Sequence, residues 1–245
     1  MVNQQLLAIL VPGLPLLGAL IIAAFRKRLV GNAAGMLATA MIAGAFVCSV
    51  LLFLGHKAEA GAHVITLFDW IHIGSMQVGF AFQLDALSLT MMLIVTGIGS
   101  LIHLYSIGYM HDDARVSTFF ACLNLFTFAM LLLVMGANYV LTFIGWEGVG
   151  LCSYLLIGFW YTNPEYNYAA RKAFVMNRIG DVGMVLAMAL LFQLFGPLEY
   201  TGIMEQAGRL TSGDPLIVCA TLLLFVGAMG KSAQIPLFTW LPDAM

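Results

Sequence analysis

The feature that most constrains this sequence is a series of long apolar segments joined by short polar ones. A helix needs about 20 mostly apolar residues to cross the hydrocarbon core of a bilayer. Apolar residues make up 62% of the 245 residues, and charged residues only 9%. A soluble domain has roughly 25% charged residues, so these few charges could not cover the surface of a soluble fold. The sequence therefore predicts an all-α protein that crosses a membrane several times.

Seven segments have the length and composition of transmembrane helices. They lie at Leu6–Phe25, Ala33–Leu54, Leu84–Ile107, Thr118–Met135, Tyr139–Tyr161, Ala173–Phe195 and Leu216–Ile235.

Two of the connecting segments have a pattern of their own. His63–Phe82 alternates apolar and polar residues and is broken by Gly74-Ser75 and Gly79. This period of two predicts an external β-hairpin between the second and third transmembrane helices. Leu198–Leu210 has apolar residues at helical spacing and predicts a short amphipathic helix on the outer surface.

The basic residues of the connecting segments predict an orientation. Segments after the first, third and fifth helices contain Arg26, Lys27, Arg28, Arg115, Arg171 and Lys172, whereas the alternate segments contain only Lys57 and Arg209. By the positive-inside rule, the N-terminus is expected outside the membrane. The net charge of −2 offers no basic face and argues against nucleic acid as a partner.

Four charged residues fall inside the predicted membrane segments: Glu147, Arg178, Asp181 and Lys231. A charge near the centre of a transmembrane helix costs about 2.5–3.5 kcal/mol on insertion scales, or about 10–14 kcal/mol for four unpaired charges. A chain with so few charges is expected to place them on a polar path inside the helix bundle.

Glu147 lies in the sequence Gly-Trp-Glu-Gly-Val-Gly of Gly145–Gly150, near the middle of the fifth segment. The glycines permit a neighbouring helix to approach closely, and an intramembrane carboxylate suggests ion handling. The alternative is a structural carboxylate hydrogen-bonded to a neighbouring helix.

Arg178 and Asp181 are three residues apart and therefore share one face of the sixth segment. We expect them to tune a nearby titrating group, since neighbouring charges change proton affinity. The alternative is an ion pair that neutralises itself and only positions the helix.

Lys231 follows two glycines and precedes Pro236 in the seventh segment, which predicts a discontinuous helix. Broken helices within membranes line cavities and mark transport sites. A desolvated lysine there can release its proton near neutral pH. The alternative is a lysine that extends its charge to the interface.

No cofactor or metal site is predicted on this chain. The cysteines are far apart, and Gly230-Lys231-Ser232 lacks the earlier glycine of a phosphate-binding loop, because residue 225 is Phe. His103 is expected to be a packed or an interfacial histidine, and Asp85 to cap the third helix.

The segments that contain these charges resemble a known family. Gly145–Tyr161 (GWEGVGLCSYLLIGFWY), Lys172–Gly183 (KAFVMNRIGDVG) and Lys231–Met245 (KSAQIPLFTWLPDAM) resemble the subunit L family of bacterial respiratory complex I, NADH-quinone oxidoreductase. Phe82–Ser88 and Ser117–Met135 extend the resemblance. This is the distal antiporter-like membrane subunit, whose mitochondrial counterpart is NADH dehydrogenase subunit 5.

The resemblance implies an antiporter-like fold and a proton-translocating translocase subunit, driven by electron transfer from NADH to quinone elsewhere in the complex. Glu147 and Lys231 match the family's key glutamate and lysine, and Arg178 and Asp181 match nearby positions. Lys231 would hold and pass a proton, Glu147 would change its affinity, and Arg178 with Asp181 would modulate both. NADH, flavin, iron–sulfur clusters and quinone are expected on other subunits.

The resemblance also implies partners and a domain division. The partners expected are lipid, protons and other complex I membrane subunits, especially the neighbouring antiporter-like subunit, in the bacterial inner membrane. Residues 1–116 would hold three helices and the hairpin, and residues 117–245 the first antiporter-like repeat without its last helix. We therefore expect the N-terminal portion of the subunit, which would not pump protons by itself.

Two other functions remain open from the sequence. A subunit of a multi-subunit sodium/proton antiporter has the same glutamate and lysine arrangement without respiration. A structural or assembly component would have no transport of its own.

Overall fold

The computed structural model describes residues 3–29, 32–56, 61–74, 76–208, 210 and 213–244. Its elements, in chain order, are α1 (Gln4–Ala24), α2 (Asn32–Gly55), β1 (His63–Ile73), β2 (Met76–Leu84), α3 (Ala86–Tyr109), α4 (Val116–Met135), α5 (Tyr139–Ile157), α6 (Pro164–Phe195), α7 (Tyr200–Ala207), α8 (Pro215–Lys231) and α9 (Leu241–Ala244).

Helices α1 to α6 are long and apolar enough to cross a membrane, and α8 is a shorter apolar helix of 17 residues. Many of their large apolar side chains are exposed on the helix surfaces, such as Leu101 and Leu104 of α3. Exposed apolar side chains on such helices suit contact with lipid chains rather than water. The chain is a multi-pass membrane protein, as the sequence predicts.

The start of α6 differs from the prediction. The helix begins at Pro164, nine residues before the predicted start at Ala173, so Arg171 and Lys172 lie in a helix and not in a loop. Asn163 caps it by accepting a hydrogen bond from the Glu165 amide, and proline suits the first helical turn. Lys57 and Arg209, which the orientation argument also uses, lie outside the described residues.

The predicted hairpin is confirmed. Strands β1 and β2 form a two-stranded sheet. Gly74 has a φ of 58°, a left-handed conformation that glycine adopts without steric cost at a tight turn. Ser75, the other predicted turn residue, lies outside the described residues. Phe80 stacks on Phe68 at a centroid distance of 5.1 Å, which is the kind of cross-strand pair that stabilises a sheet.

The chain forms two compact units. The first comprises Met1–Ile65, Phe82–Gly136 and Ile144–Cys152, and the second comprises Thr66–Ala81, Ala137–Phe143 and Ser153–Met245. The predicted division at residue 116 stays a prediction about repeats.

The first unit is a bundle in which α1 packs on α2 and α4, and α3 packs on α2 and α4. Its interior contains polar side chains. Asn124 of α4 is fully buried, and its amide nitrogen lies so close to α1 that a β-carbon on Gly18 would come within 2.3 Å of it. Small residues at such contacts let transmembrane helices pack closely.

The second unit is built around α6 and α8, which pack along each other. At one end, Asn138 joins the hairpin to α5. Its side-chain oxygen accepts from the Leu141 amide at 2.8 Å, and its amide nitrogen donates to the Gly79 carbonyl at 2.9 Å. Beside it, α7 packs into an apolar cluster through Ile203. The predicted amphipathic helix is confirmed, over Tyr200–Ala207.

Candidate functional site

Lys231 is the last residue of α8. The first turn of the helix is capped by Asp214, whose carboxylate accepts from the amides of Leu216 and Ile217. After Lys231 the chain leaves the helix. Ala233 has a φ of 50°, a left-handed conformation that residues other than glycine rarely adopt. The predicted interruption is confirmed, but the helix ends four residues before the predicted Ile235.

The segment after α8 folds back on the helix end. The Gln234 amide donates to the Met229 carbonyl at 3.0 Å, and the Trp240 indole nitrogen donates to the Gly230 carbonyl at 3.0 Å. These bonds satisfy carbonyls that the ended helix leaves without partners. Lys231 is half-buried at this break.

Arg178 and Asp181 lie on α6 in different surroundings. Asp181 is 4% exposed, whereas Arg178 is exposed, and its guanidinium carbon lies 5.0 Å from the ring centre of Phe174. A guanidinium over an aromatic face is a favourable cation–π contact. The carboxylate is therefore the inner member of the pair and the guanidinium the outer one.

Two glycines bring the Asp181 and Lys231 segments together. A β-carbon on Gly180 of α6 would lie 3.1 Å from the Cα atom of Gly230 of α8 and 3.2 Å from the Val226 carbonyl oxygen. The two backbones therefore meet directly. Asp181 and Lys231 each follow one of these glycines in the sequence, so both residues adjoin the point where the two backbones meet.

Glu147 lies in the first unit, half-buried on α5. The glycines on either side of it are packed against α4. A β-carbon on Gly145 would come within 2.3 Å of the Leu133 amide nitrogen, and one on Gly148 within 2.8 Å of the Ala129 β-carbon. The predicted close approach of a neighbouring helix is confirmed at both glycines.

His103 and Asp85, the other two residues considered in the sequence, both have structural roles. His103 is 1% exposed, and its Nδ1 lies 2.7 Å from the Gly99 carbonyl oxygen. Because a carbonyl only accepts, Nδ1 carries the proton of the neutral ring. Asp85 caps α3, since its carboxylate accepts from the Ser88 amide at 2.7 Å. His103 is therefore the packed rather than the interfacial histidine, and the predicted cap at Asp85 is confirmed.

One buried polar residue at the α6–α8 crossing was missed. Asn177 is 7% exposed and lies one helical turn before Asp181. An asparagine in an apolar helix is a detectable signal, but only the packing shows that this one is buried rather than exposed to lipid.

Two family profiles match the chain. Residues 70–120 match the family described as NADH-Ubiquinone oxidoreductase (complex I), chain 5 N-terminus, and residues 136–245 match NADH:quinone oxidoreductase/Mrp antiporter, TM. The second match contains all four charged candidates.

Curated relatives match nearly the whole chain. NADH-quinone oxidoreductase subunit L of Mycobacterium tuberculosis is 46% identical over 239 residues, which is 96% of this chain and 37% of that protein. NADH-ubiquinone oxidoreductase chain 5 of Metridium senile is 43% identical over 237 residues, which is 97% of this chain and 39% of that protein. The chain thus spans less than two fifths of the length of these relatives.

A solved structure has the same fold. A chain in the structure of the Mrp complex from Dietzia sp. DQ12-45-1b superposes with a TM-score of 0.80 at 24% sequence identity, covering 99% of this chain and 25% of that one. The predicted antiporter-like fold is confirmed by this match.

Proposed function

Because the chain belongs to the family of antiporter-like membrane subunits that includes NADH-quinone oxidoreductase subunit L, we propose that it contributes to proton translocation in a respiratory NADH:quinone oxidoreductase. Electron transfer from NADH to quinone on other subunits would supply the energy. The observation that carries the proposal is the position of Lys231, which ends a broken apolar helix directly after the glycine that touches α6 at Gly180, the residue before the buried Asp181.

Lys231 is the residue that holds the proton in this proposal. A half-buried ammonium at a helix break has lost part of its hydration, so its proton affinity responds strongly to nearby charges. At about 4 Å and an effective dielectric of about 20, two unit charges interact by about 4 kcal/mol. Each tenfold change in an equilibrium constant corresponds to about 1.36 kcal/mol, so this interaction changes the proton affinity about a thousandfold. That is enough to load and unload a lysine.

Glu147, Asp181 and Arg178 supply those charges. Movement of the Glu147 carboxylate toward or away from the lysine would raise or lower its proton affinity. Asp181, next to the crossing of α6 and α8, and Arg178 on the same helix would modulate this interaction between Glu147 and Lys231 through their own charges. This assignment is supported by the family match over residues 136–245 and by the cost of four charges at membrane depth.

The proposed location is the bacterial inner membrane, with the N-terminus outside. The basic residues Arg26, Lys27 and Arg28 directly after α1 support this orientation through the positive-inside rule. The proposed neighbours are other complex I membrane subunits, in particular a second antiporter-like subunit.

The test is proton pumping by the complete respiratory complex that contains this chain, reconstituted in liposomes. We expect Lys231→Ala and Glu147→Gln to reduce NADH-driven pumping severely. Matched controls are Lys27→Ala in the exposed segment after α1 and Glu205→Gln on the exposed face of α7, which should pump normally. Normal pumping by both site variants would refute the proposal.

A second candidate function is a subunit of a multi-subunit sodium/proton antiporter. The Mrp antiporter in the description of the matched profile and the fold match to an Mrp complex favour it. Purification of the intact complex separates the two functions. Copurification with peripheral iron–sulfur subunits supports the respiratory function, and copurification with small membrane subunits alone supports the antiporter.

A further inference from the structure

Asn177 presents a fixed hydrogen-bond acceptor inside the second unit. Its side-chain nitrogen donates to the Ala173 carbonyl at 2.8 Å. A carbonyl oxygen can only accept, so the nitrogen must face Ala173 and the side-chain oxygen must face away. That oxygen is buried, and it accepts no hydrogen bond from any residue in the described part of the chain.

The backbone of Asn177 lies where α6 meets α8. A β-carbon on Gly230 would lie 3.5 Å from the Asn177 carbonyl oxygen, so the backbone of Asn177 touches the residue before Lys231. Asp181 is four residues further along α6, on the same face, because residues four apart are neighbours on a helix. Asn177 thus lies beside the chain positions of both the lysine and the buried carboxylate.

A buried oxygen without a donor is unfavourable. It costs about 1–3 kcal/mol, which a leucine of similar size would avoid. Buried polar atoms that lack a protein partner are ordinarily satisfied by bound water, which makes about three hydrogen bonds at such sites. The charged groups on α6, and on α8 and α9 that pack on it, are Glu165, Arg171, Arg178, Asp181, Lys231 and the pair formed by Lys172 and Asp243, whose side-chain nitrogen and oxygen are 2.6 Å apart.

We propose that the Asn177 side-chain oxygen binds a water molecule that transfers protons between Lys231 and Asp181. In the transfer, an N–H bond of the Lys231 ammonium breaks and an O–H bond forms on the water. Another O–H bond of the same water breaks, and its proton goes to the Asp181 carboxylate. The water is regenerated, and Asn177 is a positioning residue that fixes it. This inference rests on the proposed function.

The test compares three asparagine variants in the complete reconstituted complex. Asn177→Leu removes the acceptor. Asn177→Thr keeps one, because a helical threonine donates its hydroxyl to the carbonyl four residues earlier and retains a free lone pair. Asn124→Leu is the matched control, since it removes a fully buried asparagine from the first unit.

Lys231→Ala defines the pumping that depends on Lys231, and we expect Asn177→Leu to lose about nine tenths of it. That is a tenfold reduction, which corresponds to about 1.4 kcal/mol. Its pumping should also fall off at a different pH from wild type, which a purely structural change would not cause. Asn177→Thr and Asn124→Leu should pump within about twofold of wild type, a difference that corresponds to about 0.4 kcal/mol. NADH oxidation per assembled complex is measured alongside.

The outcomes separate this inference from the proposed function. If Lys231→Ala abolishes pumping but Asn177→Leu pumps normally at every pH, the water site is wrong and the function stands. If Asn177→Thr is as defective as Asn177→Leu, the acceptor is not what matters and the inference fails. If Asn177→Leu does not assemble, electron density decides: water about 3 Å from the Asn177 oxygen in the wild-type complex supports the site, and its absence overturns it.

Discussion

The indole N–H of Trp240 donates a hydrogen bond to the carbonyl oxygen of Gly230, 3.0 Å away. Gly230 lies in the last turn of α8, where carbonyls lose their helical partners because the helix ends at Lys231. A side chain ten residues further along the chain therefore stabilises the helix end directly before the proposed proton carrier.

Trp240→Phe should weaken this helix end. The substitution keeps an aromatic ring but removes the donor, and a typical intramolecular hydrogen bond contributes about 1 kcal/mol. We expect a lower thermal unfolding midpoint for the detergent-solubilised complex, together with reduced pumping. Trp70→Phe in β1 is the control, since 43% of that residue is exposed. Equal effects of the two substitutions would show that the Gly230 bond is unimportant.

Gly145→Ala should disrupt the packing of α5 on α4. The new β-carbon would meet the Leu133 amide nitrogen at 2.3 Å, and backbone atoms cannot rotate away as a side chain can. Overpacking of this kind costs about 1–3 kcal/mol, so we expect less folded protein and a lower unfolding midpoint.

Gly13→Ala in α1 is its matched control, because a β-carbon there meets nothing within 4 Å. Alanine favours a helix over glycine by about 1 kcal/mol, so this variant should be as stable as wild type or more so. A similar loss of stability in both variants would contradict the packing argument.

Asn138 has two roles that different substitutions separate. Asn138→Ser keeps a helix-capping oxygen but is too short to reach the Gly79 carbonyl, whereas Asn138→Ala removes both hydrogen bonds. A cap contributes about 1 kcal/mol and the second bond a similar amount. We expect unfolding free energies lowered by about 1 kcal/mol for serine and about 2 kcal/mol for alanine. Faster proteolysis of the hairpin in both variants would confirm that Asn138 anchors β2.

Asp85 should make stability depend on pH in the acidic range. Burial raises the pKa of the Asp85 carboxyl, but hydrogen bonds from Ser88 and Gln83 lower it further, so the pKa lies below its ordinary value. The unfolded pKa is about 3.9, so the carboxylate stabilises the fold above that pH. This stabilisation is lost as the pH falls through the folded pKa.

The measurement is the unfolding midpoint between pH 7 and pH 3. Asp85→Asn should match wild type near pH 7, because asparagine caps helices as well as aspartate does, and should lose less stability on acidification. Asp85→Ala should be less stable by about 1 kcal/mol at pH 7. Identical pH profiles for wild type and Asp85→Asn would rule out this carboxylate as the source.

The sequence predicted those features that depend on local pattern. Apolar length predicts the helices, alternation predicts the β1–β2 hairpin, and the glycines before Lys231 predict the end of α8. The early start of α6 was missed because residues 164–172 lack large aliphatic side chains, although Asn163-Pro164 is a recognisable helix start. The length of an apolar segment predicts only the part of a helix that lies within the membrane. It does not predict the polar turns by which a helix extends beyond the membrane.

The features that depend on tertiary packing could not be predicted. Asp181 and Arg178 are three residues apart, yet one is buried and the other is exposed. Asn177 differs from a lipid-facing polar residue only because its side of α6 is covered in the fold. Both outcomes depend on which helix face another helix covers, and that information is absent from a single helix sequence.

The direct contact of α6 and α8 has a mechanical consequence. Where Gly180 meets Gly230, no side chains lie between the two backbones that could change rotamer and let one helix slide past the other. Neither glycine can be enlarged without separating the two backbones at this point. Lys231 begins directly after this contact, so its ammonium can move relative to α6 through its own flexible stem or through residues 232–240 without any change at the contact itself.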